Sequence, residues 1–378
     1  MKILFLDQSG KLGGAELSLT DVAKSYRENC LVGLFADGPF RELLEQEQIP
    51  VQVLATEQIQ VSKDSNILQS LVSISSIAPL ITRVAKIAHH YDLIYANTQK
   101  ALVIGALASF LRRRPLVYHL RDILSADHFS ATNRRIAVTL ANRFASLVIT
   151  NSEATKAAFI EAGGRSNIVE VVYNGFEPEK YLAQESNYNQ IRQQLGLDEQ
   201  FVVGHFSRLS PWKGQHILLE ALVHCPDDVT AIFVGDALFG EQDYVEHLHQ
   251  QVAKLGLKER VQFLGFRSDV VPLMSACDLI AHTSTAPEPF GRVIVEAMLC
   301  GRPVVAAEAG GAIELVETGK TGWLVPPGNP QQLAEIITTC RHQPEATMMI
   351  ANQAKDIATQ RFDLSNINQE LAQLLGCI

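Results

Sequence analysis

Short apolar, β-branched runs alternate with longer stretches of helical periodicity from one end of the chain to the other. A strand buried on both faces reads as one continuous apolar run, so this alternation predicts right-handed βαβ units around a parallel sheet. In the first half the predicted strands are Lys2 to Leu6, Leu31 to Phe35, Val51 to Leu54, Leu93 to Ala96, Leu116 to His119, Leu147 to Thr150 and Val169 to Val172. Pro39 is placed to open one intervening helix. After Tyr173-Asn174-Gly175 comes a polar stretch, Ala183 to Asn189, which is the expected linker. The pattern restarts at Phe201 with a strand (FVVGHF), a loop (SRLSPWKG) and a helix from about Gln215. Strands are predicted again at Ala231 to Val234, Val261 to Leu264, Leu279 to His282 and Pro303 to Ala306.

Both halves therefore begin alike, with a buried strand running into a loop that contains Gly and Lys and then into a helix. The fold class expected is α/β, with two Rossmann-like doubly wound parallel sheets over residues 1–180 and 190–360. The terminal segment 361–378 is expected as a helix packing back on the first. Doubly wound sheets bind ligands at the carboxyl ends of their strands, so a ligand held in an interdomain cleft is the natural expectation. The length, 378 residues, fits two domains at about 150 each.

Composition narrows the class. With 47% apolar and 19% charged residues, disorder is out. The net charge of −9 argues against sequence-independent nucleic-acid binding. The six cysteines form no C-x-x-C pair, which leaves no zinc knuckle or redox motif and suits reduced thiols in a cytoplasmic protein. MKILFLD is too short for a signal-peptide core, and the uncharged run Ala101 to Leu111 falls well short of the roughly 20 residues that span a bilayer.

Three segments carry candidate chemistry. The loop QSGKLGGAE after the first strand opens a helix, so N–H groups at Gly13, Gly14 and Ala15 are placed to meet an anion, although neither G-x-G-x-x-G nor the P-loop spacing is present. In SRLSPWKG, Arg208 and Lys213 stand five residues apart on a loop shaped by Pro211 and Gly214, a pair of cations suited to a diphosphate. In EPFGRVIVEAM, Glu288 is expected just outside a helix beginning near Phe290, and Glu296 roughly 9 Å further along it. The N–H groups of Phe290, Gly291, Arg292 and Val293 are then set to hold phosphate oxygens. One segment thus offers a carboxylate for sugar hydroxyls, an anion pocket and a second carboxylate for ribose. His119 ends an early strand where α/β ligands bind. His282, Thr283 and Ser284, and the turn at Gly310 and Gly311, read as structural.

Taken in order, GGAE at 13 to 16, HLRD at 119 to 122, VYNG at 172 to 175, SRLSPWKG, FLGF at 263 to 266, EPFGRVIVEAM, the glycine pair 310 to 311 and TGWLVPPGN resemble the retaining glycosyltransferases of family 4 across nearly the whole chain. The E-x7-E element, Glu288 to Glu296, is the most specific. The resemblance implies the GT-B fold and transfer of a sugar from a nucleotide-diphosphate sugar, UDP- or GDP-linked, to an acceptor with retention and without a divalent metal or other cofactor. It implies that Gly14 approaches the donor phosphates, Arg208 and Lys213 bind the diphosphate, Glu288 holds the sugar, Phe290 and Gly291 give backbone N–H groups, Glu296 binds ribose, and His119 touches the donor sugar. Arg292 is left a specificity role. The first domain is then acceptor-binding and the second donor-binding.

Two alternatives from other classes are a nucleotide-sugar-binding protein without transfer and a GT-B epimerase of nucleotide-sugars. A separate expectation is peripheral contact with an anionic membrane at its cytoplasmic face, drawn from the arginines at 112 to 114, 121, 134 and 135.

Overall fold

The computed structural model describes every residue except 55–66, 127–128, 183–184, 198 and 238–239, and for 67–76 and 185–188 the backbone alone. The chain divides into two compact units, Met1–Gly175 with Leu364–Ile378, and Phe176–Asp363.

Among the described residues, seven strands form the sheet of the first unit: β1 Ile3–Asp7, β2 Cys30–Leu34, β3 Val51–Val53, β4 Leu93–Ala96, β5 Leu116–Leu120, β6 Leu147–Thr150 and β7 Val169–Val171. Their spatial order is β3-β2-β1-β4-β5-β6-β7, and every pairing is parallel. Leu4, Leu6 and Ile94 face one core, while Ile3, Phe5, Tyr95 and Val117 face the other, which is why both parities of these strands are apolar. The helix Leu364–Gly376 seals the second face with Ile367, Leu371 and Leu375. Burying these three aliphatic side chains is worth several kcal/mol, at roughly 1.5–3 each.

The second unit has six strands among its described residues: β8 Phe201–Phe206, β9 Val229–Val234, β10 Val261–Gly265, β11 Leu279–His282, β12 Val304–Ala307 and β13 Trp323–Val325. They run in the order β10-β9-β8-β11-β12-β13, again all parallel. Each sheet is doubly wound, and the winding reverses between β1 and β4 in one and between β8 and β11 in the other. Loops leaving the carboxyl ends of those paired strands are where doubly wound sheets bind ligands.

Three boundaries differ from the sequence expectation. Of the expected linker, 183–184 lie outside the described residues and the rest belongs to the helix Glu185–Leu195, while the division of the chain falls at Gly175 and Phe176. Arg361 closes a preceding helix, Pro344–Arg361, and the terminal helix starts only at Leu364. The helix after Glu288 begins at Arg292, two residues beyond Phe290. Pro39 does open a helix, Pro39–Gln46.

Candidate functional site

The loops after β8 and β11 meet because the strands are neighbours, Leu279 pairing with Val203 and Ile280 with Gly204. They are tied together by side chains rooted in the sheet. His205 Nε2 lies 3.0 Å from Thr283 Oγ1, Thr283 Oγ1 donates to Gly214 O at 2.8 Å, and Thr285 N donates to Trp212 O at 2.8 Å. Burial, and then the neighbouring His282, hold the His205 pKa down to about 3, so it is a neutral linker. Gly214 adopts φ +70°, and a Cβ there would sit 1.9 Å from Thr283 O, so only glycine permits this approach.

That scaffold delivers Lys213 onto Glu288, with Nζ 2.6 Å from Oε2. The same oxygen lies 3.2 Å from His282 Nε2 and accepts from Ser284 Oγ at 3.1 Å. Lys213 Nζ also stands 4.0 Å above the Trp212 ring. Burial works to raise the Glu288 pKa, but Lys213 and His282 outweigh it and hold the carboxyl far below its ordinary range. Its backbone is fixed by Gly311 N, which donates to Glu288 O at 2.7 Å, beside Gly310 at φ +62°. His282 and Ser284 therefore help hold the Glu288 carboxylate in place.

Beyond Glu288 the chain turns at Gly291, φ +96°, which caps the helix Arg292–Leu299. Phe290 is buried, its ring 6.4 Å from Phe176 and 5.9 Å from Phe362. Phe290 and Gly291 thus belong to the turn, while Arg292 and Val293 start the first helical turn. Arg292 Nε lies 3.4 Å from Glu296 Oε1, and its guanidinium 4.5 Å from the Phe176 ring. Arg208 is drawn to a carboxylate outside the sequence motifs, with Nε 3.4 Å from Glu241 Oε2.

In the first unit Gly13 caps the helix Gly14–Ala23. A Cβ at Gly13 would approach Glu16 Oε2 to 2.8 Å, so the QSGKLGGAE loop is shaped around a carboxylate. Asp7, at the end of β1, accepts from Asn97 Nδ2 at 2.7 Å; Arg121 donates to Asn97 Oδ1 at 3.0 Å and to Asn174 Oδ1 at 2.7 Å. Burial pushes the Asp7 pKa up to about 6, and burial together with Asp7 pushes Glu16 to about 7. Arg121 is buried in this network and contributes nothing to a basic surface. His119 is also buried, with Nδ1 bonded to the Tyr95 hydroxyl and Nε2 without a hydrogen-bond partner among the described residues. Burial, and then Arg121, place its pKa well below the usual histidine value, so the ring is neutral. His119 lines a cavity of about 10 Å³ with Arg121, Asn174 and Asn368, room for about one water.

The sequence motifs gave no warning of Asp7, Tyr95 or Glu241. Ser152 caps the helix Glu153–Glu161 by accepting from Thr155 N. All six cysteines are free thiols. Among the described residues no group of three or more His, Cys, Asp or Glu is placed to hold a metal ion, and no helix is long and apolar enough to cross a membrane.

Two families match this chain: Glycosyltransferase Family 4 over residues 12–180 and Glycosyl transferases group 1 over residues 187–357. Spore coat protein SA of Bacillus subtilis is 32% identical over 217 residues, 53% of this chain and 56% of that protein. D-inositol 3-phosphate glycosyltransferase of Mycobacterium marinum is 31% identical over 271 residues, 67% of this chain and 57% of that protein. The chain thus spans just over half the length of these curated relatives. The crystal structure of Anabaena HepE in complex with UDP-glucose is 63% identical with a TM-score of 0.94 and covers 100% of both chains.

Proposed function

Because this chain belongs to the group 1, family 4 glycosyltransferases, with their two-sheet GT-B fold, we propose that it transfers a sugar from a nucleotide-diphosphate sugar to a hydroxyl acceptor, with retained anomeric configuration and no divalent metal. The observation that carries this reading is the buried contact between Lys213 and Glu288 at the winding reversal of the second sheet. A UDP-linked donor is supported by the HepE structures with UDP-glucose and with UDP.

In this reading the second unit is the donor-binding one and the first the acceptor-binding one. The acceptor oxygen bonds to the anomeric carbon on the face from which the diphosphate departs. The carbon–phosphate-oxygen bond breaks, and the acceptor proton passes to the leaving phosphate. Lys213 and Arg208, aided by the N–H groups at 290–293, offset the charge that develops on the diphosphate, the task a metal ion performs elsewhere. Glu288, anionic and fixed by Lys213, His282 and Ser284, accepts from donor sugar hydroxyls. Glu296 serves the ribose hydroxyls. The buffer needs no cofactor, and activity is expected to persist in EDTA.

NMR of UDP-glucose with the protein and a panel of glycan, lipid and small-molecule acceptors tests the reading. Transfer gives free UDP and an anomeric signal of retained configuration. Binding with neither transfer nor slow hydrolysis supports a sugar-nucleotide-binding protein instead, and a new donor epimer supports an epimerase.

A second element of the proposal is peripheral contact of this cytoplasmic enzyme with anionic membrane. At the end of the helix Gln99–Arg112, Phe110 and Leu111 are 69% and 58% exposed beside exposed Arg112 and Arg113. Besides the buried Arg121, residues 83–165 carry eleven Lys and Arg against five Asp and Glu, although the whole chain is at −9. Co-sedimentation with phosphatidylglycerol vesicles, lost in Phe110→Ser with Arg113→Glu, is the expected result; no sedimentation of the wild type at low salt removes this element.

A further inference from the structure

The loop after β8 does not end its pairing with the strand. Ser207 N donates to Val234 O at 3.0 Å and Leu209 N to Asp236 O at 3.1 Å, so residues 207 to 209 continue alongside the loop leaving β9. Gly235, φ +136°, makes this approach feasible, since a Cβ there would lie 2.0 Å from Ser207 O. Gln215 Nε2 adds a hydrogen bond of 2.9 Å to Arg208 O. The backbone that carries Arg208 is therefore rigid, but a guanidinium at the end of a long side chain still needs its own restraint.

Glu241, just before the helix Gln242–Lys254, supplies one. Its Oε1 accepts from Ser210 Oγ at 2.5 Å, and its Oε2 lies 3.4 Å from Arg208 Nε. Ser210 is fully buried, and the Nε and Oε2 atoms are both shielded from solvent although the two side chains are about a third and a quarter exposed as wholes, at 30% and 26%. One oxygen of this carboxylate thus accepts from a fixed hydroxyl of the loop, while the other stands 3.4 Å from Arg208 Nε as an ion pair without hydrogen-bond geometry. A negative charge anchored by Ser210 and placed beside Nε biases the direction of the guanidinium through electrostatic attraction.

We infer that Glu241 is a positioning residue that aims Arg208 at the donor diphosphate. The inference rests on the proposal that Arg208 binds that diphosphate. Glu241 itself touches no donor atom in this account; it acts through Arg208, with Ser210 as the anchor.

The test is a double-mutant cycle on UDP binding, read by isothermal titration, with uridine as the control that has no diphosphate. Arg208→Gln is expected to weaken UDP binding at least tenfold with little change for uridine. Glu241→Ala is expected to weaken UDP about fivefold to tenfold, also sparing uridine, and to have no further effect in the Arg208→Gln background. Glu241→Gln, whose amide oxygen can face Arg208 Nε while its N–H donates to Ser210 Oγ, should retain most of the affinity, and it remains informative if the alanine variant folds poorly. If Arg208→Gln leaves UDP binding unchanged, the diphosphate assignment falls and this inference with it. If Arg208→Gln weakens binding but Glu241→Ala does not, or weakens uridine equally, or adds its full effect on top of Arg208→Gln, the positioning role alone is overturned.

Discussion

Lys213 and Glu288, far apart in sequence, close to 2.6 Å because they sit on loops leaving adjacent parallel strands. Both side chains are mostly buried, 16% and 12% exposed, so each charge depends on the other. Lys213→Met leaves the carboxylate with His282 and Ser284 only. Removing one partner of such a pair costs about 3–5 kcal/mol, whereas removing both charges is often close to neutral. Denaturant unfolding should show the Lys213→Met variant strongly destabilised and the Lys213→Met, Glu288→Gln double variant largely recovered. A double variant as unstable as the single one would mean that the pair is not what holds these loops.

The two units are expected to respond to pH with opposite sign. Glu16 and Asp7 have folded pKa values raised to about 7 and about 6, so their contribution is fully present below their unfolded values near 4.5 and 3.8 and is lost as pH rises through 6 and 7. Glu288 is depressed, so its contribution is present above 4.5 and lost as pH falls below it. Urea unfolding of the wild type at about pH 5 and about pH 7.5 should show the first unit weaker at the higher value, by about 4 kcal/mol for the two groups together. In Glu16→Gln that difference should shrink. An unchanged difference would point to other groups.

Gly214→Ala places a methyl group against Thr283 O, at a φ that disfavours any side chain. The loop must shift to accommodate it, carrying Lys213 with it. Transfer activity is predicted to fall at least a hundredfold, while Gly196→Ala, at φ +65° but with open space around it, leaves activity near normal and reports only the local backbone cost of about 1 kcal/mol. Equal activity losses in the two would dissociate the effect from Lys213.

The bond between the Tyr95 hydroxyl and His119 Nδ1 fixes the imidazole in a fully buried setting. Tyr95→Phe removes that partner without changing shape and leaves a buried ring nitrogen unsatisfied, at a cost of about 1–3 kcal/mol. The ¹⁵N chemical shifts of His119 are expected to show a neutral ring in the wild type down to acidic pH, with its tautomer balance altered in Tyr95→Phe. A ring that titrates near its usual value in the wild type would contradict the burial argument.

The strands were legible because burial on both faces leaves no ambiguity of period: Ile3, Leu4, Phe5 and Leu6 are apolar whichever core they face. The start of the helix at Arg292 was not, because Phe290 is apolar in order to pack on Phe176 and Phe362 in a turn, which mimics the first position of a helix. The helix Glu185–Leu195 escaped notice for the converse reason, since its polar composition reads as a linker when the spacing of Ile191 and Leu195 is ignored. His282 and Ser284 are two residues apart at a strand end, so alternation alone would have put them on one face; that the face is the one Glu288 returns to depends on the turn at Pro287 and Pro289. Glu241 lies 33 residues after Arg208 and is brought back only by the pairing of the loops beyond β8 and β9. No local signal marks it.

The second unit is proposed to hold a nucleotide-diphosphate sugar through Lys213 and Glu288. The most direct measurement is isothermal titration of UDP-glucose and UDP into the wild type, Lys213→Ala and Glu288→Gln. The account predicts that Lys213→Ala weakens both ligands at least tenfold, and that Glu288→Gln weakens UDP-glucose more than UDP because only the former carries the sugar. Wild-type affinity for both ligands in both variants would contradict it.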